Sequence, residues 1–388
     1  MGRTSRTIIA VASALLGATA LAAQDPGEFR RSMYHDYRVV TVADGFANPW
    51  AIAFLPGGDL LVTERPGRLR IVRDGHLLET PVPGVPEVVA QGQGGLLDVV
   101  LHPDFAGNRF VYLSYSKPRA DGDGATTAIG RGRLENDRLV GFEDLFVADS
   151  QGRPGHFGSR IVFDGQGHMF FSVGDRQAPP SGDLESHPAQ DRSNHHGTIN
   201  RLHDDGRVPA DNPFVGQEGI EPSIYSFGHR NPQGLTLDPT TGNLWETEHG
   251  PQGGDELNLI QPGRNYGWPV VGYGVNYGSG SAIHGGTMRE GMESPIHFWV
   301  PSIATSGLLL YTGERFPAWR GDLFVGGMGG EQLARLTLDG TVVTDEETLV
   351  HRMGRIRDVR QGPDGYIYLA IESRSGGATP IVRLEPVN

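Results

Sequence analysis

The segment WAIAFLPGGDLLVTER, residues 50–65, is an apolar burst, a Pro-Gly-Gly-Asp turn and a second apolar burst. Alternating side chains make strands, and a glycine-rich turn supplies the backbone freedom that closes a tight hairpin. Outward along the chain the pattern recurs. It appears as LDVVLHPDFAGNRFVYLSYS (97–116), RIVFDGQGHMFFSVGD (160–175) and GLTLDPTTGNLWETEHG (234–250), then as GLLLYTGERFPAWRGDLFVGG (307–327) and RDVRQGPDGYIYLAIES (357–373). The spacing of roughly 45–75 residues is close to that of propeller blades. Each blade needs two more strands, and GRLRIV (67–72) and QLARLTLDG (332–340) follow their hairpins as candidates. The sequence therefore predicts an all-β, six-bladed β-propeller. PIVRLEP (380–386) is expected to close the ring against RVVTVADG (38–45). The long polar stretches 117–129 and 176–223 are expected to be functional or mobile loops.

The chain has 388 residues, 57 glycines, 27 prolines and a net charge of −13. That charge argues against nucleic acid as a partner, since phosphate binding needs a basic surface. Lys117 is the single lysine, so the basic residues are otherwise arginines and only clustered ones merit interpretation. Arg3 and Arg6 precede the apolar run Ile8–Ala23, with small residues at Ala20 and Ala22, the pattern of a secretory signal. The run is too short and alanine-rich for a spanning helix, so no stable membrane insertion is expected. Residues 1–23 are read as a signal peptide and 24–388 as one propeller domain, periplasmic or secreted. There is no cysteine, hence no disulfide framework.

Three groups of residues can carry chemistry. His156, in the glycine-rich loop GRPGHFGSRIVFD, is placed to act as a base near neutral pH. Asp175, at the far end of that hairpin, can orient the other ring nitrogen. A plain surface histidine is the commoner outcome, and His195, His196, His229 and His249 compete for the role. Arg230 follows Gly228-His229, and Arg355 and Arg357 flank Ile356, so the latter two side chains point the same way on a strand. Converging arginines suit a small polyanion, though ordinary surface ion pairs would look the same. In EHGPQGGDELN (248–258) the Gly250-Pro251 turn can direct carbonyls outward, while Asp255 and Glu256 add carboxylates. Oxygen donors suit a hard cation, although such a segment is more often a plain turn. No EF-hand loop, transition-metal motif, nucleophile elbow, P-loop or dinucleotide fingerprint accompanies it.

These pieces together resemble the soluble pyrroloquinoline-quinone (PQQ)-dependent aldose sugar dehydrogenases, related to soluble glucose and sorbosone dehydrogenases. The resemblance runs from NPWAIAFLPGGDLLVTERPGRL (48–69) through GQGGLLDVVLHPDF (92–105), GHRNPQGL, EHGPQGGDELN and NYGWP (265–269) to GRIRDVRQGPDGYIYL (354–369). It implies a six-bladed propeller holding PQQ and Ca2+ at one mouth of its channel. His156 then matches the catalytic base and Asp175 the acid beside it. Gln93 matches a residue of the cofactor and substrate site. Arg230 and Asn231 match the pair that contacts the quinone, and Arg355 and Arg357 the basic residues on its carboxylates. The carbonyls of Gly250 and Pro251 match ligands of the cofactor calcium. Glu256 and the Tyr266 carbonyl look like ligands of a second, structural calcium.

The implied reaction is oxidation of the C1 hydroxyl of an aldose to a lactone. His156 takes the proton, hydride passes to the quinone, and calcium and Arg230 stabilise the resulting charge. The electron acceptor that reoxidises the quinol has no signature in the sequence. One departure stands out. Related sequences carry a lysine where FVGGMGGEQL places Gly329, and Arg335 is a candidate to compensate. Two other readings are a non-enzymatic propeller of the same family binding a glycan or protein, and a calcium-dependent lactonase.

Overall fold

The computed structural model describes residues 27–120 and 122–387. The expected signal peptide, residues 1–23, lies outside the described residues. Among the described residues, twenty-five strands form six antiparallel sheets, five of four strands and one of five. The six hairpins read from the sequence are the first and second strands of the six blades. The first blade, for example, pairs Pro49–Phe54 with Leu60–Glu64 and then Arg68–Arg73.

Closure occurs as expected. Tyr37–Ala47 pairs antiparallel with Ala378–Pro386, matching Tyr37 to Pro386 and Val39 to Leu384. The last blade thus takes an outer strand from the N-terminal end of the described chain, and Glu28–Arg30 adds a fifth strand outside it. Joining the two ends in one sheet ties the ring shut without a disulfide.

The second strands are largely buried along their length because neighbouring blades cover both faces. Leu60–Glu64 and Ile367–Glu372 are buried at every position. The outermost strands show solvent on one side, as in Val342–His351. The core accordingly lies between blades. Trp50, Leu61 and Leu69 of the first blade pack on Leu97, Val111 and Leu113 of the second. Tyr311, Phe316 and Trp319 lie with Ile356 and Leu369 between the fifth and sixth.

Both expected loops contain strands. Residues 117–129 are mostly strand: Phe110–Pro118 and Ala125–Glu135 pair as a hairpin, including Lys117 with Thr126. The stretch 176–223 contains the third-blade strand Thr198–His203 and two short 3-10 turns, Leu184–Ser186 and Pro188–Gln190. Polar composition hid these strands, because Thr126, Thr127 and Asn200 are buried with hydrogen-bond partners instead of facing solvent.

In an antiparallel hairpin, the start of the first strand and the end of the second lie at the same edge. Six such edges surround one mouth of the ring. That rule brings the residues around 50, 65, 97, 175, 231, 249, 328, 355 and 372 together.

Candidate active site

At this mouth lies a cavity of ≈ 190 Å³ lined by Arg65, Gln93, Asn231, His249, Arg355 and Arg357, among others. It adjoins a wider pocket of ≈ 470 Å³ that shares Gln93 and His249 and adds His156, Asp175, Arg230 and Trp268. A small third pocket is lined by Gly250, Pro251, Glu256 and Tyr266. All eleven site residues expected from the sequence therefore lie at one mouth.

His156 and Asp175 form a close pair, with Nδ1 2.6 Å from Oδ1 of Asp175. Asp175 is fully buried, and its Oδ1 also accepts the Gln177 N–H at 2.8 Å. The His156 backbone N–H donates to Oε1 of Gln93 at 2.8 Å. A carboxylate on Nδ1 fixes the ring as the Nδ1–H tautomer and leaves Nε2 as the basic atom. Burial lowers the His156 pKa below the usual histidine value; Asp175 opposes this and Arg230 adds to it. Burial acts to raise the Asp175 carboxyl, but His156 and Arg230 outweigh it and hold the pKa below normal.

The GHRN turn is held by Glu248. Its Oε2 accepts the backbone N–H groups of Arg230 and Asn231, and its Oε1 lies 3.1 Å from Nδ1 of His229. Arg230 then reaches across to donate Nη1 to the Gly250 carbonyl at 2.8 Å. Arg357 donates Nε and Nη2 to Glu372, and Arg355 lies 3.6 Å from the same carboxylate. They share one side of the strand, as their alternation with Ile356 predicted. Burial and the neighbouring Arg357 lower the Arg355 pKa. Three arginines face one glutamate in the first cavity, which leaves net positive charge in a chain of net charge −13.

The structure revises several sequence expectations. Arg335 does not reach the mouth: it lies in an outer strand, bound to Asp322 and Glu347. It cannot stand in for a lysine at position 329. Asp255 faces away from Glu256, as strand alternation dictates. It accepts from the N–H of Gly250 and Ala304 and from Ser302, clamping two loops. Of the competing histidines, His195 bonds Asp149 and Ser223, and His196 bonds Asn194 and the Gln151 carbonyl. His249 lines the wider pocket beside His156 and also the arginine cavity. Its Nε2 donates to the Thr305 carbonyl at 2.5 Å, and burial with Arg230 nearby pulls its pKa down to about 3.

Sequence reading also missed Arg65, Trp50, Gln233, Trp268 and Glu372. The signal was present, since four of them sit at hairpin edges facing this mouth. Trp268 is the exception, carried by the long connection between the fourth blade's third and fourth strands.

Behind the Gly250 turn, Glu246 and Glu248 on one strand face Asn258 and Glu256 on the next. Burial and the charge of Glu248 push the carboxyls of Glu246 and Glu256 well above normal. Glu246 Oε1 is buried without a hydrogen-bond partner, and His229, Glu246 and Glu248 present ligand atoms within 4.8 Å of one another. Such an oxygen-rich, electron-rich set suits a hard cation.

A closed six-bladed ring with a histidine–aspartate pair and a cationic cavity at one mouth defines the class of enzyme. The Glucose / Sorbosone dehydrogenase family model matches residues 46–383, and the chain belongs to that family of oxidoreductases. It is 42% identical over 357 residues to the aldose sugar dehydrogenase YliI of Escherichia coli, covering 90% of this chain and 93% of that one. Among solved structures, the apo form of the soluble aldose sugar dehydrogenase from Escherichia coli superposes with a TM-score of 0.81 at 40% identity, covering 90% and 100% of the two chains. The PQQ-bound aldose sugar dehydrogenase from Streptomyces coelicolor gives 0.72 at 30% identity, covering 90% and 98%.

Proposed function

We propose that this protein is a PQQ- and calcium-dependent aldose dehydrogenase that oxidises the C1 hydroxyl of a cyclic sugar to a lactone. The observation that carries the reading is the juxtaposition of the His156–Asp175 pair with a cavity of three arginines and one glutamate. Arg65, Arg355 and Arg357 suit the carboxylates of PQQ, and Gln93, Arg230 and Asn231 would help to hold it. Arg65 supplies positive charge that the absence of lysine at Gly329 withholds. The Gly250 and Pro251 carbonyls suit a calcium at the cofactor, and Glu256 with the Tyr266 carbonyl suits a second, structural one. When bound, the quinone supplies the hydride acceptor.

The chain's own residues do the rest. His156 Nε2 accepts the C1 hydroxyl proton, and Asp175 holds the ring and stabilises the imidazolium that forms. Arg230 places fixed positive charge where negative charge develops. Trp268 and Pro251 wall the wider pocket, which takes the sugar. No helix among the described residues is long and apolar enough to cross a membrane. The N-terminal signal pattern supports an exported, periplasmic or secreted enzyme, which would pass electrons to a separate acceptor.

Apoprotein reconstituted with PQQ and Ca2+ should reduce an artificial electron-accepting dye on addition of aldoses. Quinone binding without dye reduction by any aldose would favour the non-enzymatic propeller. Lactone hydrolysis that needs calcium but no quinone would favour the lactonase.

A further inference from the structure

Trp268, in the NYGWP segment, donates its indole N–H to Oδ2 of Asp175 at 2.8 Å. That is the oxygen His156 does not use. Asp175 has no exposed surface, so Trp268 is what satisfies this oxygen. The same indole lies under the Arg230 guanidinium, 5.1 Å from ring centroid to charge centre. It also walls the pocket that holds His156. Trp268 is itself fixed: its backbone N–H donates to the Gly228 carbonyl at 2.8 Å, and Gln190 donates to its carbonyl at 2.7 Å.

We infer that Trp268 is a positioning residue for the proton-accepting pair, joining the orientation of Asp175 to that of Arg230 through one ring. The inference rests on His156 being the base, and it specifies how that base is tuned. The indole bond is strongest when Asp175 carries its full charge beside a neutral His156. It weakens when His156 is protonated and shares that charge. Trp268 therefore favours the neutral, proton-accepting ring. Removing the N–H raises the His156 pKa and narrows the pH range in which the base is available. The other charged and titratable groups facing the pair are Arg176, Arg230, His187, His196 and His249. All of these are retained in the test variant.

Trp268→Phe keeps an aromatic face for Arg230 and deletes the donor, with a smaller ring in its place. In the apoprotein, the His156 ring, followed by NMR across about pH 5–8, should titrate at higher pH in the variant. In the reconstituted enzyme, kcat should fall about ten-fold, less than the 10²–10⁴ typical of losing a general base. The acid limb of kcat/KM should move to higher pH, with KM for sugar and PQQ affinity nearly unchanged. An unshifted His156 titration in a folded variant overturns the inference, whether or not the protein turns over sugar. If the variant fails to fold, the wild-type apoprotein supplies the test. The Trp268 indole N–H resonance must then move with the same midpoint as the His156 ring, and a pH-independent resonance sinks the idea.

Discussion

Arg160 donates Nη2 to the main-chain carbonyl of Arg357 at 3.0 Å, from beneath the cavity floor. Its Nε donates to the Gln233 carbonyl at 2.8 Å, and its Nη1 pairs with Asp358 at 2.8 Å. Arg360 in turn binds Asp98 and Asp358. The centre of the ring is therefore a buried ion network, and two residues lining the cationic cavity hang from it by their backbones.

Arg160→Leu should be strongly destabilising, because it leaves Asp98 and Asp358 with one arginine between them. Breaking a buried pair by removing one partner costs about 3–5 kcal/mol. Urea unfolding of the apoprotein measures this directly. A loss under about 1 kcal/mol would mean that Arg160 behaves like a surface ion-pair member. PQQ affinity should also fall, since Arg357 and Gln233 lose their anchor.

His156→Ala should lower kcat by about 10²–10⁴ while PQQ still titrates the apoprotein. Burial depresses the His156 pKa, so the ring stays neutral below the unperturbed value of about 6.5. The acid limb of kcat/KM should accordingly fall on the acidic side of that value. A midpoint on its alkaline side, or a variant within a few-fold of wild type, would remove His156 from the role.

Arg355→Ala and Arg357→Ala should each weaken PQQ binding by about ten- to a hundred-fold, the equivalent of one charge-assisted hydrogen bond. Arg65→Ala should behave alike, which the sequence alone did not suggest. Gly329→Lys should tighten binding. Gly329 has no positive φ, and a Cβ there meets the Ile303 carbonyl at 3.2 Å, so a small local shift accommodates it. Titration by activity reconstitution tests all four, and three alanine variants that titrate like wild type would place the cofactor elsewhere.

The blades were legible because inner strands are covered on both faces and so read as apolar bursts between turns. Thr198–His203 was not legible because Asn200, Arg201 and His203 are among its six residues, and the buried Asn200 is satisfied by Thr198 and Ser223 instead of by solvent. His156 and Asp175 were legible because one hairpin carries both. Trp268 was not, because its partner Asp175 is 93 residues away in sequence. Arg335 misled for the opposite reason: it is near Gly329 in sequence but is held on the outer part of its blade by Asp322 and Glu347. Sequence proximity sets which strand a charge sits on, while its ion-pair partners set which end it serves.

Glu256→Gln should change stability in opposite directions with and without calcium. Glu256 faces Glu248 across the strand pair, with Glu246 one step further along, and burial makes their mutual repulsion costly. In chelator the substitution removes one of these charges, so the melting temperature should rise. In calcium it removes a ligand, so the gain that binding confers through mass action should shrink and the melting temperature should fall below wild type. Glu246→Gln should likewise stabilise the chelated protein, because its Oε1 is buried without a hydrogen-bond partner. Melting curves of both variants, in saturating calcium and in chelator, check this. A Glu256→Gln protein that melts at wild-type temperature in both conditions would mean that no cation is held at Glu256. The neighbouring carboxylates would then have to carry protons instead.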